Sequence, residues 1–228
     1  MLIVQQNNPA SLPEAIIVDL PDCTVSSRAF WPYMVKAVVT LGGGGSSPCY
    51  CCLAELSVFF VEKRLCCDVV GQLSIDDLGD APSSAMWWEA QSALFVGGLT
   101  GRLWIVQPPT WVQRTGQWRG PKIVKATTVI SDALQAAEPI VAMGIGTIPG
   151  VALLLTSKCH VAVYHHVQGV VLSVLSGAHY GMSLSSSLRV SHASDFAVVG
   201  GEATFLLAWQ PRNSPNQQPT ILDDPGFP

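Results

Sequence analysis

Five of the seven cysteines lie close together in the sequence, and this cluster is the best candidate for metal chemistry. Cys49, Cys51 and Cys52 are followed by Cys66 and Cys67, and zinc takes four thiolate or imidazole ligands in a tetrahedron. The spacing lacks the two-residue separation of a zinc knuckle, and cysteine is among the most often buried residue types. Two interpretations stay open, a metal site and buried thiols that pack as small hydrophobes. We expect the second, with no bound metal or cofactor.

Three further groups have reactive residue types but not the spacing of a reactive site. Gly42–Gly45 is not followed by the Lys and Ser or Thr that a phosphate-binding loop needs at a helix start. His165 and His166 are adjacent on a strand and face opposite sides. Asp76 and Asp77 lack the regular oxygen spacing of a calcium loop. Because the sequence also contains no Gly-x-Ser-x-Gly motif, we predict no catalytic residues.

Tryptophan and arginine residues indicate a different activity, which is contact with another protein. Trp87 and Trp88 are adjacent. Because adjacent residues of a strand lie on opposite faces of the sheet, only one of them can face the core, and the other meets a neighbouring sheet or a partner. Residues 108–121 form an insertion that carries two more tryptophans and two arginines, the residue types enriched at interface hot spots. The alternative is a loop folded back on its own sheet. The predicted partner contacts are Trp88, Trp111, Arg114, Trp118 and Arg119.

The elements that must position these residues are almost all strands. Apolar runs rich in Val, Leu, Phe and Trp alternate with Gly, Pro and Ser, which is an all-β pattern. The runs form four similar repeats at residues 35–70, 85–129, 140–175 and 182–209. The centres of their third strands are separated by 45, 58 and 44 residues. The inserted segment 108–121 accounts for the longest of these spacings.

A few segments depart from this pattern. Residues 131–138 predict a short helix capped by Ser131 or Asp132, and residues 11–16 predict another. The fourth repeat lacks a last strand after Trp209, and the apolar residues 1–4 and 15–18 are available to complete it. Residues 211–228 contain five prolines and no periodicity, which predicts a tail that is either disordered or laid along a partner.

The repeats resemble those of the WD40-like β-propeller superfamily. Residues 92–98 are similar to the second strand of such a repeat, and residues 101–106 are similar to the third strand with its turn glycine. WD40 repeats recur every ~40–45 residues. No repeat here begins with Gly-His or ends with Trp-Asp. The resemblance implies an all-β propeller of about four to five antiparallel blades, which either closes with few blades, stays open, or belongs to a longer protein.

Composition narrows the classes of partner. Charged residues make up 12% of the 228 residues, about half of the usual share, which fits either strands buried on both faces or a surface covered by partners. The net charge of −4 and the absence of a basic stripe argue against nucleic acid. No run reaches the ~18 apolar residues of a membrane helix. The odd cysteine count favours reduced thiols and a cytoplasmic or nuclear location.

Together these features predict a non-catalytic scaffold that binds other protein subunits as part of a larger assembly. We expect an N-terminal segment (residues 1–34) whose strands complete a blade, a WD40-like repeat domain (35–210) and a Pro-rich C-terminal tail (211–228). Two alternatives remain. The first is an enzyme or small-ligand binder that uses the propeller channel or a sheet face, for which His165 and Asp76 would be the test residues. The second is a β-sandwich binding module.

Overall fold

A computed structural model describes residues 2–5, 14–19, 24–30, 34–42, 49–62, 68–146, 148–180, 185–190, 196–201, 204–208 and 220–221. Almost all regular structure in these ranges is β-strand, arranged in sheets of three or four strands and one small hairpin. The all-β prediction is confirmed. Within the same ranges, no helix is long and apolar enough to cross a membrane.

The strands follow one another in chain order, and most pair with the next strand to form four-stranded meanders. The strands are β1 (Leu2–Gln5), β2 (Glu14–Asp19), β3 (Thr24–Phe30), β4 (Val35–Leu41), β5 (Cys49–Ala54), β6 (Ser57–Glu62), β7 (Val69–Ser74), β8 (Pro82–Trp88), β9 (Ala93–Gly98), β10 (Leu103–Gln107), β11 (Thr110–Val112), β12 (Gln117–Arg119), β13 (Lys122–Thr127), β14 (Ile140–Ile145), β15 (Val151–Thr156), β16 (His160–His165), β17 (Val170–Ser176), β18 (Ser185–Val190), β19 (Phe196–Gly201), β20 (Thr204–Ala208) and β21 (Thr220–Ile221).

Four sheets have the four-stranded form of a propeller blade. Their strand orders are β4-β5-β6-β7, β13-β10-β9-β8, β14-β15-β16-β17 and β18-β19-β20-β21. The hairpin β11–β12 is inserted between the third and fourth strands of the second of these sheets. Each of the four predicted repeats therefore corresponds to one of these sheets, and the prediction of antiparallel blades is confirmed.

The N-terminal strands do not supply the missing strand of the fourth repeat. β1, β2 and β3 form a three-stranded sheet of their own, and the last strand of the fourth repeat is β21, which pairs Leu207 with Ile221 and Ala208 with Thr220. The helix predicted at residues 11–16 is wrong where it is described, because Glu14 begins β2. The domain boundaries at residues 34/35 and 210/211 stay predictions.

The chain divides into two compact units, Met1–Val96 with Trp104–Ala126, and Gly97–Leu103 with Thr127–Pro228. The first unit has a core of apolar side chains from β5, β6, β9 and β10, in which Phe60 and Trp104 are the largest. The second unit has a core centred on β15 and β16, with Leu153 and Val161 fully enclosed. Every residue of β6 and of β15 is buried, because both faces of these central strands are covered.

Two short helices begin and end where local hydrogen bonds stabilise their termini. The helix α1 (Ile75–Leu78) is capped by Ser74, whose backbone N–H donates to Asp77 Oδ2 at 2.7 Å while Asp77 N–H donates to Ser74 Oγ at 3.3 Å. It ends at Gly79, where φ is +71°. This cap also ends β7 at Ser74, so the first repeat extends to Ser74 rather than ending at residue 70 as predicted.

The helix α2 (Val129–Leu134) begins two residues before the predicted segment 131–138. Its N-terminal cap position is Thr128, whose Oγ1 donates to Asp132 Oδ2 at 2.7 Å. Ser131, one of the two predicted caps, instead donates from Oγ to the carbonyl of Thr100 at 2.8 Å. The helix ends at Gln135 with a left-handed φ of +54°, so residues 135–138 do not extend it.

Candidate functional site

The inserted segment 108–121 forms an ordered β-hairpin rather than an extended loop. β11 and β12 are antiparallel, and Trp111 is directly opposite Trp118. The two indole rings are 5.6 Å apart between centroids and meet edge to face at 66°, an arrangement that aromatic quadrupoles favour. The turn closes with Gly116, whose φ of +62° suits glycine and whose N–H donates to the Val112 carbonyl at 2.9 Å.

The base of the hairpin is anchored on β7, within the first compact unit. Pro109 and Pro121 flank the hairpin and both lie against Gly71 of β7. A Cβ atom at Gly71 would be 2.6 Å from Pro121 Cδ and 2.9 Å from Pro109 Cγ, so only glycine permits this approach. Because the chain is held at both ends of the hairpin, its tip keeps a defined position relative to this sheet. The alternative of a loop folded back on its own sheet therefore applies to the base of the hairpin, whereas the tip of the hairpin is exposed.

The predicted contact residues of the hairpin have different surroundings. Trp111 is 49% exposed, whereas Trp118 is half-buried and its Nε1 finds no hydrogen-bond acceptor among the described residues. Arg114 lies in the turn, and Arg119 ends β12; both are exposed. Strand alternation places Arg119 on the face of the hairpin opposite the indole pair. The structure thus brings the two tryptophans together, with one arginine at the tip and one on the reverse face.

Trp88 does not belong to this surface. It is 4% exposed, and its ring lies 5.1 Å from that of Phe95 at an angle of 45°. Its neighbour Trp87 is half-buried against the core of the first unit. The prediction was that one ring would face the core and the other would meet a neighbouring sheet or a partner, and neither ring is exposed. The burial of Trp88 argues against a direct partner contact, and we remove it from the candidate site.

One cationic residue was missed in the sequence analysis. Lys122 follows the hairpin as the first residue of β13 and is exposed. The distribution of charged residues along the sequence would have identified it. Residues 90–131 contain five of the chain's twelve Lys and Arg residues and none of its sixteen Asp and Glu residues. The hairpin thus lies in a locally basic stretch of an acidic chain.

The cysteine cluster is described only in part. Cys51 and Cys52 are buried reduced thiols on β5, as expected for thiols that pack as small hydrophobes. Cys66, Cys67 and the side chain of Cys49 lie outside the described residues. Among the residues that are described, no group of three or more His, Cys, Asp and Glu side chains could hold a metal ion. The metal alternative therefore stays untested.

The other residues considered for chemistry have local structural roles where they are described. Hydrogen bonds from the Ser74 backbone and hydroxyl lower the pKa of Asp77, as its role in the α1 cap requires. His166, just after β16, donates its backbone N–H to the carbonyl of Gly150, just before β15, at 2.9 Å. Of the glycine run, only Gly42 is described. A shallow cavity beside α2 has Asp132 as its single ionisable lining residue, which does not make a catalytic pair.

A contact between a buried carboxylate and a histidine in the second unit was not predicted. Glu138 is 3% exposed, and its Oε2 lies 2.8 Å from His160 Nδ1, while its Oε1 lies 3.8 Å from Lys158 Nζ. The pair joins the segment before β14 to the start of β16. Its geometry fits a structural tie between strands.

The sequence has no match among protein-family models, and no curated protein matches it. Solved structures do resemble it. The Cps50 (Swd1) β-propeller domain from Myceliophteria thermophila aligns with a TM-score of 0.62 at 11% identity, covering 96% of this chain and 68% of that one. Sqt1 from Chaetomium thermophilum aligns with a TM-score of 0.65 at 11% identity, covering 91% and 53%. BBS1N, solved in complex with ARL6DN, gives 0.59 at 10% identity, covering 95% and 63%.

These similarities concern the fold, because the identities are far too low to carry a function. The chain spans about half of the length of Sqt1 and about two thirds of the length of the other two structures. The likeness extends over nearly all of this chain, and it agrees with the four-stranded meanders seen in each compact unit. The alternative of a two-sheet β-sandwich is therefore wrong: the chain has a β-propeller fold.

Proposed function

We propose that this protein is a non-catalytic interaction scaffold, a WD40-like subunit that binds other protein subunits through the hairpin β11–β12. The observation that carries the proposal is the hairpin itself, an anchored insertion that exposes Trp111 beside Arg114. Tryptophan and arginine dominate the binding energy of many protein interfaces. The hairpin is held at its base by Pro109 and Pro121, so little conformational entropy is lost when its tip is bound.

Two further observations support an interaction role. BBS1N, which shares this fold, was solved in complex with ARL6DN, so a propeller of this type can serve as a protein-binding surface. The cavity beside α2 also has a single ionisable lining residue, Asp132, and so offers no pair of catalytic groups. The cysteine content and composition favour a cytoplasmic or nuclear assembly, and we include that location in the proposal.

The proposal is tested by affinity capture from native cells, followed by sizing of the intact eluate and mass spectrometry. The wild-type chain is compared with the hairpin variant Trp111→Ala/Arg114→Ala/Arg119→Ala. Val167→Ala serves as the control, because Val167 is 72% exposed and lies outside the hairpin. We expect a stoichiometric set of co-eluting subunits with the wild type and with the control, and their loss with the hairpin variant.

Two results would count against parts of the proposal. A wild-type chain that elutes alone at 24.3 kDa would contradict the scaffold function and direct the work to ligand and activity screens. An assembly that survives in the hairpin variant would retain the scaffold function but move the contact surface elsewhere on the molecule.

A further inference from the structure

The charge around the hairpin is one-sided. Residues 90–131 carry five Lys and Arg residues and no Asp or Glu, although the whole chain has a net charge of −4. Three of the five cations lie on the hairpin or directly after it: Arg114 in the turn, Arg119 at the end of β12 and Lys122 at the start of β13. All three are exposed, and none forms an ion pair with another described residue.

Such cations are available for charge-assisted hydrogen bonds with a partner. A guanidinium group binds a carboxylate through two parallel N–H donors, which makes arginine the better ligand for Asp and Glu side chains. Arg114 lies at the tip of the hairpin, and Arg119 lies on the face opposite the indole pair. A segment that crosses the tip of the hairpin would therefore meet cationic groups together with the exposed ring of Trp111.

The pattern fits an acidic peptide segment better than a nucleic acid. Nucleic-acid binders usually neutralise a longer track of phosphates, and their affinity depends on that number. Three exposed cations in an acidic chain make a short track. Single-stranded nucleic acids also need successive open aromatic faces for base stacking, whereas Trp118 is half-buried and covered by the edge-to-face contact with Trp111.

We infer that the hairpin β11–β12 receives an acidic segment of the protein partner. Arg114, Arg119 and Lys122 bind its carboxylates, and the exposed ring of Trp111 packs against one of its apolar side chains. This inference rests on the proposed function, since it names the chemistry of the partner for the same surface. Because residues 90–131 contain no Asp or Glu, a basic segment would meet mainly like charges on this stretch of the chain.

The test uses a fluorescein-labelled synthetic peptide in which glutamates alternate with leucine and serine, followed by anisotropy. The same peptide with glutamine in place of every glutamate is the neutral probe, and a single-stranded oligoribonucleotide of similar length is the nucleic-acid probe. The full chain is compared with Arg114→Glu/Arg119→Glu. The control is Lys36→Glu/Arg189→Glu, which makes the same charge change at two exposed cations outside the hairpin.

We expect the acidic peptide to bind the wild type and the control, and to bind the hairpin variant roughly tenfold or more weakly. Affinity should fall as salt rises, since the contacts are exposed charges. The inference is overturned if the acidic peptide does not bind, if the neutral peptide binds equally well, if both double variants lose affinity alike, or if the oligoribonucleotide binds more tightly.

Failure of this inference can be separated from failure of the proposed function. Affinity capture is repeated with Trp111→Ala and with Arg114→Glu/Arg119→Glu. An assembly that is lost with the first variant and retained with the second would support the interaction function and reject the acidic partner segment. A wild-type chain that captures no subunit would reject the proposed function itself.

Discussion

Tyr164 places a hydroxyl group in the interior of β16, where the residue is fully buried. The hydroxyl oxygen finds no hydrogen-bond partner among the described residues. Burial raises the pKa of Tyr164 above its ordinary value of 10.0, because the phenolate would lose its hydration. A buried unpaired hydroxyl of this kind costs stability that a phenyl ring would not.

The first prediction concerns Tyr164→Phe and its dependence on pH. The unfolded chain ionises near pH 10, while the folded chain holds the proton to higher pH. The stability linked to Tyr164 is therefore complete below pH 10 and is lost as pH rises through the raised folded pKa. Urea unfolding at neutral pH and at about pH 10.5 should show a smaller loss for the variant than for the wild type. At neutral pH the variant should be at least as stable. Equal losses at high pH would contradict the burial.

The second prediction concerns the buried carboxylate of Glu138. Glu138→Ala removes the partner of His160 and should lower the free energy of unfolding by about 3 kcal/mol, since a broken buried pair leaves an uncompensated polar group. Lys158→Ala is the matched control: the Lys158 side chain is 61% exposed, and its loss should cost less than about 1 kcal/mol. Chemical denaturation measures the free energy of unfolding of both variants. Equal losses in the two variants would show that the contact with His160 does not contribute to stability.

At the residue scale, alternation along a strand can be predicted but burial cannot. The sequence shows that Trp87 and Trp88 face opposite sides of β8, yet it does not show that both sides are covered. Whether a face is covered depends on sheets formed by distant parts of the chain. The same limit applies to Glu138, whose partners lie twenty or more positions away.

At the scale of elements, close packing between strands of neighbouring sheets requires glycine at one position of β14. A Cβ atom at Gly144 would overlap Cγ2 of Val190 on β18, so β14 and β18 approach more closely there than any side chain permits. Both strands belong to the second compact unit. The contact explains why a residue with poor strand propensity lies within this strand.

The third prediction is that Gly144→Ala destabilises the protein by about 2 kcal/mol, because the inserted methyl group must displace Val190 in a packed region. Gly120→Ala is the control: a Cβ atom there would meet no other atom within 4 Å, and its effect should stay within about 0.5 kcal/mol. Denaturant midpoints of the two variants provide the comparison. A Gly144→Ala variant as stable as the control would mean that β14 and β18 are farther apart.

Elements with continuous apolar runs could be predicted closely, and elements defined by local polar contacts could not. β15 and β16 follow from Val151–Thr156 and from residues 160–164, because strands buried on both faces are apolar throughout. The ends of β7 and α2 depend instead on hydroxyl contacts of Ser74 and Thr128. For residues 108–121 the sequence left open an extended connecting loop and a hairpin loop, since three-residue strands are too short for periodicity to appear.

At the scale of the whole molecule, the repeat spacing identified the blades although the characteristic dipeptides of WD40 repeats are absent. The propeller fold depends on apolar meanders of four strands, which many sequences can form. The low identities to Cps50 and Sqt1, both 11%, agree with this. The fold therefore follows from apolar patterning, whereas the proposed partner contact depends on a few exposed residues in one insertion.

The fourth prediction tests the hairpin as the contact surface of the scaffold. A photoreactive benzoylphenylalanine in place of Trp111 should cross-link to one partner subunit when irradiated in native cells, because the ring is half-exposed on an anchored hairpin. The same group in place of Val167, which is 72% exposed, should give no cross-link to that subunit. Mass spectrometry identifies the cross-linked chains. A product at position 111 alone is the expected result, and no product, or the same products from both positions, would contradict the account.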